Sequence, residues 1–159
     1  MYQKILLPTD GSDNARQAGK HAIWIADKTN AEIVVLNVID VNYLQPSYLP
    51  SFRKNLDNCL RDEGKKALQE FKNDLEEAQC QGICKNIKFT TMIKEGKPHL
   101  EILKTIDEED IDLVIMGASG KHGVDELILG KVTERVLRET KTPILVVRCI
   151  NNEKSMKKN

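Results

Sequence analysis

Ile111-Asp112-Leu113-Val114-Ile115-Met116 runs without a break into Gly117-Ala118-Ser119-Gly120-Lys121-His122-Gly123 and then, past Val124 to Leu129, into Gly130-Lys131-Val132-Thr133. A short apolar run that stops on glycine reads as a buried strand delivering a loop. Val132, Val136 and Leu137 then fall at helical spacing, and Pro143-Ile144-Leu145-Val146-Val147 is another apolar run. Strand, loop, helix, strand is the repeating unit of a parallel sheet, because parallel neighbours need a crossover connection.

The same unit recurs upstream. Ile5-Leu6-Leu7 exits through Pro8-Thr9-Asp10-Gly11-Ser12. Ala15, Ala18, Ala22, Ile25 and Ala26 follow at helical spacing, with Ser12 or Asp13 as the cap and Asn30 as the stop. Ile33 to Leu36, closing on Asn37-Val38-Ile39-Asp40, is continuously apolar, as in a strand covered on both faces. From Val41 to Lys54 the pattern breaks. Pro46 and Pro50 forbid a regular helix there, and Tyr43, Tyr48 and Phe52 make the segment an apolar loop folded over the domain edge, or else a lid or a partner surface. Leu56, Leu60, Ala67, Leu68, Phe71 and Leu75 predict a long amphipathic helix ended by Gly82. Lys88 to Ile93 reads as a strand. Gly96 and Pro98 open a helix carrying Leu100, Ile102, Leu103 and Ile106, which stops at Asp107–Asp110, where acidic charge opposes the helix dipole. The order β-α-β-α-β-α-β-α-β predicts one Rossmann-like α/β domain over 1–150. It has five parallel strands with helices on both faces, and a polar tail, 151–159, expected to be disordered.

Composition narrows the function. The chain has 159 residues, with Lys+Arg 24 balanced by Asp+Glu 24, and only 4% aromatic residues. Neither a basic excess nor base-stacking aromatics are present, so nucleic acid is a poor partner. No apolar run approaches the ~20 residues of a membrane span, and no leader-like segment opens the chain, so a cytoplasmic protein is expected. Cys80 and Cys84 lie close in sequence, but no second Cys/His pair at zinc spacing accompanies them. Cys59, Cys80, Cys84 and Cys149 are expected to be reduced thiols.

Sheets of this type bind ligands at the carboxyl ends of their strands, where the winding direction switches. Three stretches qualify: Pro8-Thr9-Asp10, Asn37-Val38-Ile39-Asp40, and Met116-Gly117 onward. Gly117 can take a positive φ and lets backbone approach a ligand. Gly120 and Gly123 extend that surface. Gly130 precedes a helix start, whose free N–H groups favour anions, and Ser119, Thr133, Lys121 and Lys131 add donors. Polyphosphate is the natural ligand. Two phosphate motifs fail to fit. Asp125 stands where a Walker A loop needs its first glycine, Val132 follows Gly130-Lys131, and Gly117-Ala118-Ser119 breaks G-x-G-x-x-G. His122 could serve a catalytic step, although an exposed loop histidine is the commoner meaning of such a residue.

Gly117, Gly120 and Gly130, spaced Gly-x2-Gly-x9-Gly, resemble the nucleotide-binding signature of the universal stress protein family. Lys4-Ile5-Leu6-Leu7-Pro8-Thr9-Asp10-Gly11-Ser12, Val38-Ile39-Asp40, Glu95-Gly96-Lys97-Pro98, Val114-Ile115-Met116-Gly117 and Thr142-Pro143-Ile144-Leu145-Val146-Val147 resemble it too, in the family's order. The resemblance implies an adenine-nucleotide alpha hydrolase-like domain that binds ATP as a regulatory ligand in a stress response. It implies adenine against Pro8, Thr9, Asp10 and Val38. It also implies ribose and phosphates along Met116, Gly117, Ala118, Ser119, Gly120, Lys121, His122 and Gly123, then Gly130, Lys131, Val132 and Thr133. Magnesium or manganese would accompany the phosphates, held mainly by phosphate and water; the protein ligand is left unassigned, with Asp10 near enough in principle. A homodimer would form through the last strand, Ile144–Val147. The other readings left open are a dimeric interaction module with a degenerate site, and a slow ATPase. One residue departs from the family pattern: Lys131 stands where Ser or Thr is usual. Its charge either strengthens the phosphate site or swings away on its long stem, with Thr133 as the substitute hydroxyl.

Overall fold

A computed structural model describes residues 1–44, 48–120 and 129–149. Its elements are β1 (Lys4–Pro8), α1 (Asp13–Thr29), β2 (Glu32–Asp40), a 3-10 turn (Val41–Tyr43), α2 (Pro50–Cys80), β3 (Phe89–Gly96), α3 (Pro98–Glu108), β4 (Leu113–Gly117), α4 (Lys131–Glu139) and β5 (Ile144–Val147). The five strands form one parallel sheet in the order β3-β2-β1-β4-β5. The chain winds outward from β1 to β3, returns to β4 beside β1, and winds the other way, so the switch falls between β1 and β4.

The strand period of two sorts the core into two layers. Ile5, Leu7, Ile33, Val35, Leu113 and Ile115 pack with α1 and α2, while Leu6, Val34, Leu36, Val114 and Met116 pack with α3 and α4. The continuous apolar strands are thus covered twice, as parallel strands are. On α1, Ala15, Ala18, Gly19, Ala22, Ile23 and Ala26 are buried, and the small side chains let the helix lie low on the sheet. The Ser12 hydroxyl accepts from the Ala15 N–H at the start of α1, and Asn30 closes it in the left-handed conformation at φ 57°.

Three element readings change. Pro50 does not prevent a helix: it opens α2 at the first turn, where its missing N–H is no loss, so residues 50–54 are helical. β3 runs three residues past Ile93 to Gly96, because β2 is long enough to pair with it from Ile33 to Asp40. Leu137, placed inward by spacing, is half exposed, and Thr133 and Val136 are the buried side chains of α4. Pro46 and the tail 151–159 lie outside the described residues.

Candidate functional site

The strand lengths create the site. β1 pairs with β2 only from Lys4↔Glu32 to Pro8↔Leu36, whereas β2 continues paired with β3 to Asp40↔Gly96. The β1-facing edge of residues 37–40 therefore overhangs a crevice. Strand β4, on the other side of β1, ends at Gly117. The resulting pocket has a volume of about 630 Å³, inside the usual ~300–1,000 Å³ of ligand sites. Its walls come from Pro8 at the end of β1 with Thr9 and Asp10 after it, Val38 and Asp40 of β2, Met116 to Gly120 bar Ala118, and Gly130 to Thr133 at the start of α4.

The turn after β1 is braced from within. The Thr9 N–H donates to the Leu36 carbonyl at 2.8 Å, and the Asn37 amide donates to the Thr9 carbonyl at 2.8 Å. The Gly11 N–H donates to Thr9 Oγ1 (3.2 Å), and the Ser12 N–H donates to Asp10 Oδ1 (2.9 Å). Asn37 is almost fully buried and lies against Gly64 of α2, leaving no room for a side chain there. That contact draws α2 over the end of β2 and brings Leu60 and Glu63 to the rim.

The glycine loop is held from α1. Asn14 Nδ2 donates to the Ser119 carbonyl (3.1 Å) and to Ser119 Oγ (2.8 Å), while Asn14 Oδ1 accepts the Cys149 N–H (2.7 Å). One side chain thus joins α1, the loop and the exit of β5. Gly117 does not have a positive φ; its requirement is close approach. A Cβ there would lie 2.8 Å from Asn14 Cβ and 2.9 Å from the Ala15 nitrogen. At Gly120 a Cβ would fall onto the Asp10 carboxylate, so Asp10 leans on the loop across the pocket. The Gly130 N–H donates to the Ala118 carbonyl (2.8 Å) and begins α4.

Two expected roles change. The Thr133 hydroxyl is buried and donates to the Gly117 carbonyl at 2.9 Å. Its proton holds the loop against α4 and is not available to a phosphate. Ala118 is also buried. Its N–H donates to the Val147 carbonyl and it does not line the pocket. Lys131 is exposed on the wall, and Ser119 Oγ, which accepts from Asn14, still has its own proton to donate. Lys121, His122 and Gly123 lie outside the described residues.

Sequence reasoning missed Asn14, Glu63 and Gly64, and it named Asn37 only as part of a strand exit, not as the brace of the Thr9 carbonyl. Asn14 had a signal: a polar side chain in the first turn after a strand exit stands at the carboxyl edge of the sheet. The others depend on the placement of α2, which spacing alone does not give. Among the described residues, the lining has carboxylates at Asp10, Asp40 and Glu63 and one cation, Lys131, at the α4 end.

The model of the universal stress protein family matches residues 1–148. Universal stress protein MJ0531 of Methanocaldococcus jannaschii is 36% identical over 148 residues, covering 93% of this chain and 83% of the relative. The solved structure of MJ0577 from the same organism is 36% identical, with a TM-score of 0.78 over 95% of this chain and 99% of the other. A universal stress protein solved in complex with cAMP shares the fold at 22% identity and a TM-score of 0.62, over 92% of this chain and 97% of that one.

Proposed function

The chain belongs to the universal stress protein family, and we propose that it binds ATP as a regulatory ligand. The observation that carries this reading is the pocket's polarity. One wall offers an unpaired strand edge at 38–40 with carboxylates, suited to the N–H and O–H donors of a base and ribose. The other offers a glycine backbone, a helix start, the Ser119 hydroxyl and Lys131, suited to phosphates. Adenine lies against Pro8, Thr9, Asp10 and Val38. The phosphates follow Gly117, Ser119 and Gly120 to Gly130 and Lys131. Asp10 fits the place of a magnesium or manganese ligand, since its carboxylate already leans on the loop and such an ion keeps most of its bonds to phosphate and water.

A homodimer through β5 completes the proposal. β5 is an edge strand, and Ile144, Leu145 and Val146 are only half-buried in the single chain. Pairing the same edge across a two-fold axis would cover them. Calorimetric titration of nucleotide-free protein with ATP and magnesium tests the main reading. One ATP per chain, lost when Gly120 is replaced by Val, is expected. No heat, or binding untouched by that substitution, refutes the site. Sedimentation as a monomer at micromolar protein refutes the dimer.

A further inference from the structure

Resting on the nucleotide reading above, we infer that the phosphate end of the pocket continues into a second anionic subsite on the first turns of α3 and α4. It receives an adenine nucleotide whose phosphate chain exceeds three. Pro98 and Lys131, each the first residue of its helix, line the same pocket, and the two helices pack on one another. Arg135 lies one helical turn beyond Lys131 on the same stripe, about 5–6 Å away between β-carbons. His99 follows Pro98 on the facing helix. The Arg135 Nη1 atom is 3.4 Å from His99 Nε2, so the two side chains bridge the helices just outside the pocket.

Among the described residues, these cations lack the carboxylate partners that the chain gives others. Arg16 meets Asp74, Arg61 meets Asp57 and Glu95, and Arg138 meets Glu134. Among the described residues Arg135 meets only His99, and neither Lys97 nor Lys131 has a carboxylate partner. The nearby acids among the described residues are turned elsewhere: Glu134 serves Arg138, and Glu101 lies against Gly96. The wall built by β2 and α2 carries Asp40 and Glu63. A phosphate chain growing past Lys131 is repelled from that wall and drawn to Arg135, whose planar fork matches two phosphate oxygens.

The test titrates the full chain and its Arg135→Ala variant with ADP, ATP, adenosine 5′-tetraphosphate and diadenosine tetraphosphate at constant salt. Both tetraphosphates should bind the native chain about fivefold tighter than ATP, the upper range for one exposed ion pair. Arg135→Ala should remove that gain and leave ADP unchanged, with an unaltered melting temperature showing an intact fold. Equal affinity for ATP and the tetraphosphates overturns the inference, as does an equal loss for ADP in the variant. A gain confined to the diadenosine compound also overturns it, because the second nucleoside would then be what binds. Failure of every nucleotide, ADP included, refutes the pocket reading itself and the extension with it.

Discussion

Replacing Asn14 with Ala removes a side chain that ties α1 to the glycine loop and to the end of β5. Three hydrogen bonds go with it, two to Ser119 and one from the Cys149 N–H. Each contributes about 0.5–1.5 kcal/mol net. All three are only part-buried, so water recovers some of the loss and the lower half of that range applies, about 2 kcal/mol in total. Alanine returns about 0.5 kcal/mol through its better helix propensity. The net cost is then about 1.5 kcal/mol, a fall in melting temperature of roughly 3–6 °C for a domain of this size. The damage should be local as well as global. Amide exchange at Cys149 should quicken more than exchange in the buried strand β1, and ATP affinity should drop because the loop is no longer held ready. A variant that melts within 1 °C of the native chain, with Cys149 equally protected, would refute this account of the loop.

Gly117→Ala places a methyl group 2.8–2.9 Å from atoms of Asn14 and Ala15, two of them backbone, so α1 must shift. Overpacking of this kind costs about 1–3 kcal/mol, and urea denaturation should register it; an unchanged midpoint contradicts the close-approach argument. Lys131→Ala should weaken ATP about three- to fivefold and leave adenosine unaffected, the size expected of an exposed charge on phosphate. Equal losses for ATP and adenosine in parallel titrations would remove Lys131 from the phosphate end. The Asp27 carboxyl accepts the Lys85 N–H (2.9 Å) and then the Lys28 ammonium (3.0 Å), which together hold it below the ordinary carboxylate value. A depressed acid stabilises the fold above its unfolded pKa, about 3.9, and that contribution is lost as pH falls through the folded value. An NMR titration placing Asp27 at or above free aspartate would overturn the assignment.

Much of this architecture was legible because strands buried on both faces leave a plain signature. Ile5-Leu6-Leu7 and Ile33 to Leu36 are apolar at every position, so strand and parallel sheet follow together. The alanines of α1 then fix which helix lies closest. What escaped was set by distant partners. Pro50 carries the same residue signal as a loop proline and as a first-turn proline, and only the helix beyond it decides between them. Thr133 looked like a phosphate donor because spacing puts it beside the loop. Spacing cannot say that the Gly117 carbonyl claims that hydroxyl first. The positions of Glu63 and Gly64 depend on Asn37, which is 27 residues earlier in the chain.

The same economy explains why the site sits where it does. At the switch between β1 and β4, the strand exits diverge to opposite faces, so neither crossover covers the crevice. The exposed backbone there must be satisfied without filling the space. Small side chains at 117, 118, 119 and 120 keep the volume open, while asparagines at 14 and 37, each able to donate and accept, brace the two walls from behind. A leucine at either position would keep the packing volume but leave carbonyls of Ser119 or Thr9 unbonded, and the walls would lose their spacing before the sheet lost its core. Nucleotide affinity should therefore fail at milder perturbation than folding does. Asn37→Leu discriminates the two, with ATP binding reduced at a temperature where circular dichroism still reports a folded sheet.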